Sequence, residues 1–206
     1  MYLKNPMSIE GRSMDLIEPH LVDTCFSPEE KIVVKRMIHS TGDFDYRHII
    51  EFREDFLEKA QEALRTSKLI YTDTRMAAVG INQQALDRAG IEVRTLVSDE
   101  RAFKLAKEKT TTRSAVAVDM AVEEGIDIFV FGNAPTGLFR LLEHVDAGRV
   151  KPRFIVGVPV GFVGAAESKE HLRSYKIPSI STVGYKGGSN VAASIINALL
   201  YMVVGR

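Results

Sequence analysis

The sequence holds a single cysteine, Cys25, in its 206 residues, which excludes an intramolecular disulfide. Lys and Arg together number 27, as do Asp and Glu, so no net charge attracts nucleic acid or an anionic membrane. No apolar run reaches the roughly 18 residues that a membrane-spanning helix needs, and the first residues lack the apolar core of a signal peptide. We therefore expect a soluble, cytoplasmic protein that binds neither nucleic acid nor membrane.

Nucleotide-binding and metal-binding motifs are also missing. Gly132 and Gly137 have the spacing of a phosphate-binding P-loop, but Leu138 and Phe139 follow them instead of Lys and Ser or Thr. No Gly-x-Gly-x-x-Gly follows a predicted strand, and no two histidines show the His-x-x-x-His spacing of a zinc site. We therefore expect no nucleotide cofactor and no metal ion held by protein ligands.

Short β-rich runs alternate with helical stretches through most of the chain. The predicted strands are Leu69–Tyr71, Val93–Val97, Ile126–Phe131, Phe154–Val158 and, more faintly, Ile180–Val183. The predicted helices between and after them are Gln83–Ala89, Thr111–Glu124, Thr136–Ala147, Glu167–Tyr175 and Asn190–Val203. This alternation predicts an α/β fold in which helices cover both faces of a mostly parallel sheet. No linker is visible, so residues 1–206 are expected to form a single domain.

Two helices are predicted before the first strand. Pro28 opens one of them, with Ser27 as its N-cap, and this helix is expected to end near His39. The segment from Phe44 to Arg65 carries apolar residues about 3.6 positions apart, which predicts one long amphipathic helix.

Loops rich in glycine, hydroxyl and amide groups follow the predicted strands. The most informative segment is Phe154–Lys169, in which an apolar strand leads into a loop with Gly157, Gly161 and Gly164. Glycine lacks a Cβ atom, so the backbone N–H groups of such a loop can approach a ligand closely. Three other segments share this character: Thr72–Ile81, Gly132–Leu138 and Gly184–Ser189. Any one of them is more often an ordinary turn, but together they favour a binding site at the carboxyl edge of the sheet.

One histidine lies in a basic setting. The predicted helix places His39 in its last turn, with Lys35 one turn earlier, Arg36 three residues back, and Gly42 available to end the helix. Neighbouring cations weaken the hold of an imidazole on its proton, which favours a proton donor. A histidine at this end of a helix can instead simply bind backbone carbonyls. The residues alone leave both interpretations open.

Collinear motifs between residues 6 and 204 carry a resemblance to a known family. They are Ile9-Glu-x-x-Ser13, Arg36-x-Ile38-His39-x-Thr41-Gly42-Asp43, Thr72-Asp73-x-x-Met76-x-x-x-Gly80, Thr112-Arg113-Ser114, Gly132–Thr136, Gly157–Lys169 and Lys186–Ser189. Together they resemble the precorrin-8X methylmutases, which include the cobalt-precorrin-8 methylmutases of anaerobic cobalamin (vitamin B12) synthesis. The pair Gly132–Thr136 and Gly157–Lys169 is highly specific. The chain departs from the family pattern at Gly137, where Ala is frequent, and at Tyr185, where a basic residue is frequent.

The resemblance implies an isomerase of corrin-ring biosynthesis. Such an enzyme moves a methyl group from C11 to C12 of precorrin-8 or its cobalt-containing counterpart and gives hydrogenobyrinate or cobyrinate. Because the methyl group stays within one molecule, no methyl donor or redox cofactor is needed, and cobalt, where present, is carried by the substrate. The family assigns the proton donor and acceptor to the position of His39.

The resemblance also implies substrate-binding residues. Ser13 and Arg36 match binding positions of the family, and Arg113 is expected to pair with a peripheral carboxylate of the corrinoid. Lys186 supplies a further cation and Thr72 a hydroxyl, unless they are an ordinary loop lysine and strand-end threonine. The role of Asp73 stays open. Members of the family are homodimers, which implies a homodimer here.

Two other functions compete with the interpretation as a methylmutase. One is a transferase of the same pathway that uses an external methyl donor, and the other is a corrinoid carrier that binds the product without turnover. The sequence does not decide whether the substrate contains cobalt, because no protein ligand to the metal is required.

Overall fold

The computed structural model describes residues 5–206, and six strands among them form one sheet. These strands are β1 (Ile50–Arg53), β2 (Leu69–Thr72), β3 (Glu92–Arg94), β4 (Ile128–Phe131), β5 (Phe154–Gly157) and β6 (Ser179–Thr182). Their spatial order is β1-β6-β5-β4-β2-β3, and all neighbours are parallel except β1 and β6. The carboxyl ends of β2, β4, β5 and β6 therefore meet at one edge of the sheet.

Helices connect and cover these strands. They are α1 (Pro6–Ile17), α2 (Pro28–Thr41), α3 (Tyr46–Ile49), α4 (Phe56–Thr66), α5 (Arg75–Gly80), α6 (Gln83–Ala89), α7 (Glu100–Glu108), α8 (Arg113–Glu123), α9 (Pro135–Asp146), α10 (Ala165–Arg173) and α11 (Ser189–Val204), with a 3₁₀ turn at Glu18–Leu21. None of the helices described within residues 5–206 has both the length and the apolar character needed to cross a bilayer.

Two apolar cores lie on opposite faces of the sheet. Successive side chains of a strand point to opposite faces, so in β4 Ile128 and Val130 enter one core whereas Phe129 and Phe131 enter the other. Helices α2, α4, α6 and α11 complete the first core, and α7, α8, α9 and α10 complete the second. The predicted α/β class, with helices on both faces of a mostly parallel sheet, is confirmed.

The long helix predicted from Phe44 to Arg65 is wrong. This segment forms α3, β1 and α4, and β1 pairs with β6 in the antiparallel direction, with Ile50 opposite Thr182. Glu54 and Asp55 both adopt a left-handed conformation with φ of 53°, which interrupts any helix between β1 and α4. The pairing partner of β1 lies far away in the sequence, so local periodicity cannot reveal it.

Smaller differences concern element limits. Helices α1, α5 and α7 are additional to the predicted set, and α5 occupies part of the segment interpreted as a loop after β2. Strand β3 ends at Arg94, before the predicted limit at Val97. These differences leave the order of the parallel strands unchanged.

Two loops pack backbone against backbone at the carboxyl edge. In the β5–α10 loop (residues 158–164), the Val158 carbonyl accepts a hydrogen bond from the Gly188 amide at 2.9 Å. The Gly161 amide of the same loop donates to Tyr185 O at 3.2 Å. A Cβ atom added to Gly187 would lie 2.1 Å from Val158 O. Only glycine therefore allows the β6–α11 loop (residues 183–188) to approach this closely.

We expect Gly187→Ala to lower the free energy of unfolding by about 1–3 kcal/mol, because a backbone carbonyl cannot rotate away from the new methyl group. Thermal unfolding should show a midpoint roughly 2–12 °C lower, at about 2–4 °C per kcal/mol for a chain of this size. The matched control is Gly11→Ala in α1, where an added Cβ meets no atom within 4 Å. Unchanged stability of Gly187→Ala would contradict the close packing of the two loops.

Candidate active site

Helix α2 places His39 at the carboxyl edge of the sheet. Its first turn is closed by a capping box, in which the Glu30 amide donates to Ser27 Oγ at 3.1 Å and the Ser27 amide donates to Glu30 Oε2 at 2.7 Å. Gly42 ends the helix with a left-handed φ of 68° and donates its amide to Ile38 O. Both ends agree with the prediction, and His39 lies in the last turn.

The His39 imidazole is exposed, and the described residues give it one hydrogen-bond partner. Its Nδ1 lies 2.7 Å from the hydroxyl oxygen of Ser13, which comes from α1 packed along α2. Within residues 5–206, Nε2 of the same ring makes no hydrogen bond. The structure therefore brings together Ser13 and His39, which are predicted separately as a substrate-binding and a catalytic residue, and leaves one ring nitrogen open to a ligand.

The cations expected beside His39 are held by carboxylates. The Arg36 guanidinium lies 3.0 Å from Glu10 Oε1 and 5.1 Å from the centre of the Tyr201 ring, while Arg206 contacts the same Glu10 carboxylate. Burial opposes ionisation of Glu10, but the charges and hydrogen bonds of Arg206 and Arg36 outweigh it and lower the pKa of that carboxyl. Arg36 is therefore a fixed cation next to the last turn of α2.

Lys186 connects the β6–α11 loop to the end of α2. Its ammonium donates to Asp43 Oδ2 at 2.5 Å and to Asp45 Oδ2 at 2.8 Å, just after the helix that carries His39. The hydrogen bond from Lys186 is the main reason that the pKa of Asp43 falls below its usual value. The predicted substrate-binding lysine is thus already bound to two carboxylates.

The end of β2 holds a buried polar pair. Thr72 is fully buried, and its hydroxyl lies 2.6 Å from that of Thr95. Asp73 is only 2% exposed and accepts three backbone hydrogen bonds, from Gly132 at 3.0 Å and from Asn133 and Ala134 at 2.7 Å. Burial raises the pKa of Asp73, and the three amide donors oppose that rise. Asp73 therefore orients the loop between β4 and α9.

Arg113 lies at a different part of the edge. It begins α8, whose N-cap Thr112 accepts from the Ala115 amide, and its guanidinium lies 4.4 Å from the centre of the Phe103 ring. The Thr112 hydroxyl donates to the Thr136 hydroxyl at 3.1 Å, which joins the starts of α8 and α9. Within the described residues, no hydrogen bond or ion pair connects Arg113 to His39 or Ser13.

Two features of this edge escaped the sequence analysis as functional candidates. Phe162 and Val163, at the tip of the β5–α10 loop, are 86% and 89% exposed, and the Phe162 ring lies 5.5 Å from that of Tyr185. Lys169 on α10 is fully buried. The glycines that flank Phe162 and Val163 signal the loop, but no local pattern reveals that a lysine faces inward.

Two cavities lie away from His39. One of about 740 Å³ is bordered by β2, β3, α5 and α6, and one of about 420 Å³ lies between α8 and α9 beside Thr112 and Thr136. His39 and Ser13 line neither of them. The exposed imidazole therefore belongs to neither cavity.

Comparison with known proteins identifies the family. The family model described as precorrin-8X methylmutase matches residues 8–202. The chain belongs to the precorrin-8X methylmutase family. It is 48% identical over 207 residues to the cobalt-precorrin-8 methylmutase of Salmonella typhimurium, covering 97% of each chain. It is also 38% identical over 201 residues to a precorrin-8X methylmutase of Sinorhizobium sp, covering 96% of this chain and 95% of that relative.

A solved structure supports the same family. The precorrin-8X methyl mutase of Thermus thermophilus matches this fold with a TM-score of 0.89 at 36% identity, covering 96% of both chains. Methylmutases are isomerases that move a methyl group within one molecule. The family resemblance and the enzyme class predicted from the sequence are therefore confirmed.

We expect Asp73→Asn to destabilise the protein by about 1–3 kcal/mol, because an amide NH₂ would face backbone N–H donors and leave at least one of them unpaired. Urea unfolding followed by circular dichroism measures the change. The control is Asp23→Asn, which alters an exposed carboxylate and should leave stability unchanged. Equal stability of the two variants would show that the three hydrogen bonds to Asp73 contribute little.

Proposed function

We propose that this protein moves a methyl group from C11 to C12 of precorrin-8 or cobalt-precorrin-8, with His39 as the general acid and base. Family membership supports the reaction class. The observation that carries the proposed role of His39 is its geometry: Ser13 holds Nδ1 at 2.7 Å, and Nε2 has no hydrogen-bond partner in the described part of the chain and lies at an exposed position.

Protonation explains how a histidine promotes this shift. A proton delivered to a nitrogen of the macrocycle withdraws electrons from the conjugated system and lowers the barrier to migration of the methyl group. The methyl group leaves C11 and bonds to C12 of the same molecule, after which the ring nitrogen returns its proton to Nε2 of His39. No atom is gained or lost, so neither a methyl donor nor a redox cofactor is required.

Ser13 suits both halves of this proton cycle. When Nε2 gives its proton to the macrocycle, the neutral imidazole keeps its other proton on Nδ1, so the Ser13 hydroxyl accepts from Nδ1–H in both the charged and the neutral state. The contact between Ser13 and His39 can therefore persist in both protonation states. The ring then keeps its orientation while Nε2 gives up and regains the proton.

Binding of the substrate requires a few placed cations near an apolar surface. The corrinoid carries acetate and propionate groups around an apolar macrocycle, and we assign Arg36 and Arg113 to these carboxylates. Lys186 is already paired with Asp43 and Asp45 and is assigned to the contact between its own loop and α2. Arg36 retains N–H donors beyond those that face Glu10. The full burial of Thr72 and its contact with Thr95 favour a structural role for that threonine.

The remaining parts of the proposal concern cofactors and assembly. Cobalt, where present, enters with the substrate and needs no protein ligand. A cytoplasmic homodimer is the proposed working form, and the exposed position of His39 leaves room for a second subunit to cover the bound corrinoid.

The proposal is tested by incubating the purified protein with cobalt-precorrin-8, and separately with metal-free precorrin-8X, without a methyl donor. We expect a change in the visible spectrum of at least one compound at constant mass, which identifies an intramolecular shift and its preferred substrate. A bound chromophore without conversion would instead favour the carrier. A gain of one methyl group only when a donor is added would favour the transferase.

We expect His39→Ala to lower turnover by on the order of a hundredfold or more, the usual effect of losing a general acid. Ser13→Ala should lower it roughly five- to tenfold, because it removes one hydrogen bond of about 1 kcal/mol from the ring. Product binding, followed by spectral titration, should change little in both variants. Steady-state assays with the accepted substrate provide the turnover numbers.

The matched control is His48→Ala, which removes an exposed imidazole outside the Ser13 and His39 pair. It should turn over at the wild-type rate. Wild-type turnover by His39→Ala would overturn the role proposed for that residue, while the incubation experiment would still judge the reaction itself.

A further inference from the structure

Lys169 is a buried lysine without a carboxylate partner among residues 5–206. It is 0% exposed, and its ammonium donates to Thr182 Oγ1 at 3.0 Å and to Lys186 O at 2.9 Å. The Thr182 hydroxyl donates to the same Lys186 carbonyl at 2.6 Å. Burial of an unpaired ammonium costs free energy, so its presence beside a functional loop requires an explanation.

The surroundings of the amine contain cations but no acid that contacts it. On α10, Arg173 donates to Ser181 Oγ and Thr182 O, and strands β5 and β6 contain no ionisable side chain. On α9, which packs against α10, Arg140 and His144 contact Asp119. Burial, with a smaller effect of the Arg173 charge, lowers the pKa of Lys169 to about 8.

The two ends of Lys186 connect Lys169 to the helix of His39. Lys169 holds the main-chain carbonyl of Lys186, while the side chain of Lys186 holds Asp43 and Asp45 just after α2. This loop and the first turn of α11 contact the region after α2 and its end at two more points, since Tyr46 donates to Gly187 O and Asn190 donates to Ser40 O, each at 3.4 Å. Movement of the Lys186 backbone would therefore reach the last turn of α2.

We propose that Lys169 is a positioning residue for the methyl shift: it fixes the Lys186 backbone, and Lys186 in turn fixes the end of α2 that carries His39. This inference rests on the proposed role of His39. Lys169 does not contact the substrate, and its effect passes through the ion pairs of Lys186 with Asp43 and Asp45.

The test compares Lys169→Met, Lys186→Met and the double variant by steady-state kinetics. We expect kcat to fall about tenfold in each single variant, with KM changed by less than about threefold. Because both residues act through one connection, the double variant should be little worse than either single variant, whereas independent effects would multiply. Lys176→Met removes an exposed lysine beyond α10 and should keep the wild-type kcat.

A pH profile provides a second readout that loss of stability alone would not change. An ammonium donates stronger hydrogen bonds than a neutral amine, so the wild-type kcat should fall as the pH rises through about 8, where Lys169 loses its proton. Lys169→Met should lack this step. The two carboxylate partners of Lys186 raise the pKa of that lysine, so Lys186 keeps its charge across the same pH range.

Each outcome judges the proposal. Wild-type kcat for Lys169→Met, multiplicative losses in the double variant, or a fall of kcat near pH 8 that is unchanged without Lys169 would overturn it. A rise in KM alone for Lys186→Met would also overturn it, because Lys186 would then bind substrate and not position α2. Should Lys169→Met fail to fold, Asp43→Asn with Lys186→Met tests the same connection on residues that are not buried. His39→Ala, measured in parallel, separates the outcomes: wild-type turnover there refutes the acid–base role, whatever Lys169 does.

Discussion

The contact between the β5–α10 and β6–α11 loops is the constraint on which the candidate site depends. The Gly188 amide reaches the Val158 carbonyl at 2.9 Å only because residue 187 has no side chain. This approach places the Lys186 carbonyl over Lys169 and the Lys186 ammonium against the end of α2. The sheet alone does not fix the position of His39. Its helix, α2, packs in the core that also contains β1, and β1 is the edge strand of the sheet. The loops supply the missing connection between the strand ends and this helix.

The electrostatics of the site follow from the neutral composition of the chain. Arg36 faces Glu10, and Lys186 faces Asp43 and Asp45, so these cations are compensated before any ligand arrives. A substrate with many carboxylates must therefore compete with internal acids or use the remaining N–H donors. Fixed pairs of this kind discriminate by geometry more than by charge, because a diffuse anion gains little from a cation that is already neutralised. This arrangement suits recognition of one rigid, multiply charged ring.

The sequence predicts the parallel part of the fold and the position of His39, because both depend on local signals. The capping box at Ser27 and the glycine at position 42 define α2, and short apolar runs mark β4 and β5. Strand β1 is not predicted, because its partner in the described sheet, β6, lies far away in the sequence, and helical periodicity in a short segment does not exclude an extended edge strand. The carboxylate partners of Arg36 and Lys186 could not be predicted for a similar reason, because tertiary packing decides which carboxylate a cation contacts. Likewise, no spacing in the sequence marks Lys169 as buried.

The proton chemistry proposed for the site places a structural requirement on the partner of Nδ1. The same imidazole must give a proton from Nε2 to the macrocycle and take it back, so Nδ1 keeps its own proton throughout and its partner must accept in both states. A carboxylate at that position would strongly favour the charged ring, and a backbone amide would hold the proton of the neutral ring on Nε2. The hydroxyl of Ser13 accepts from Nδ1–H without carrying a charge, so it favours neither state strongly. A serine beside His39 therefore suits an isomerisation in which the catalyst must end in the state in which it began.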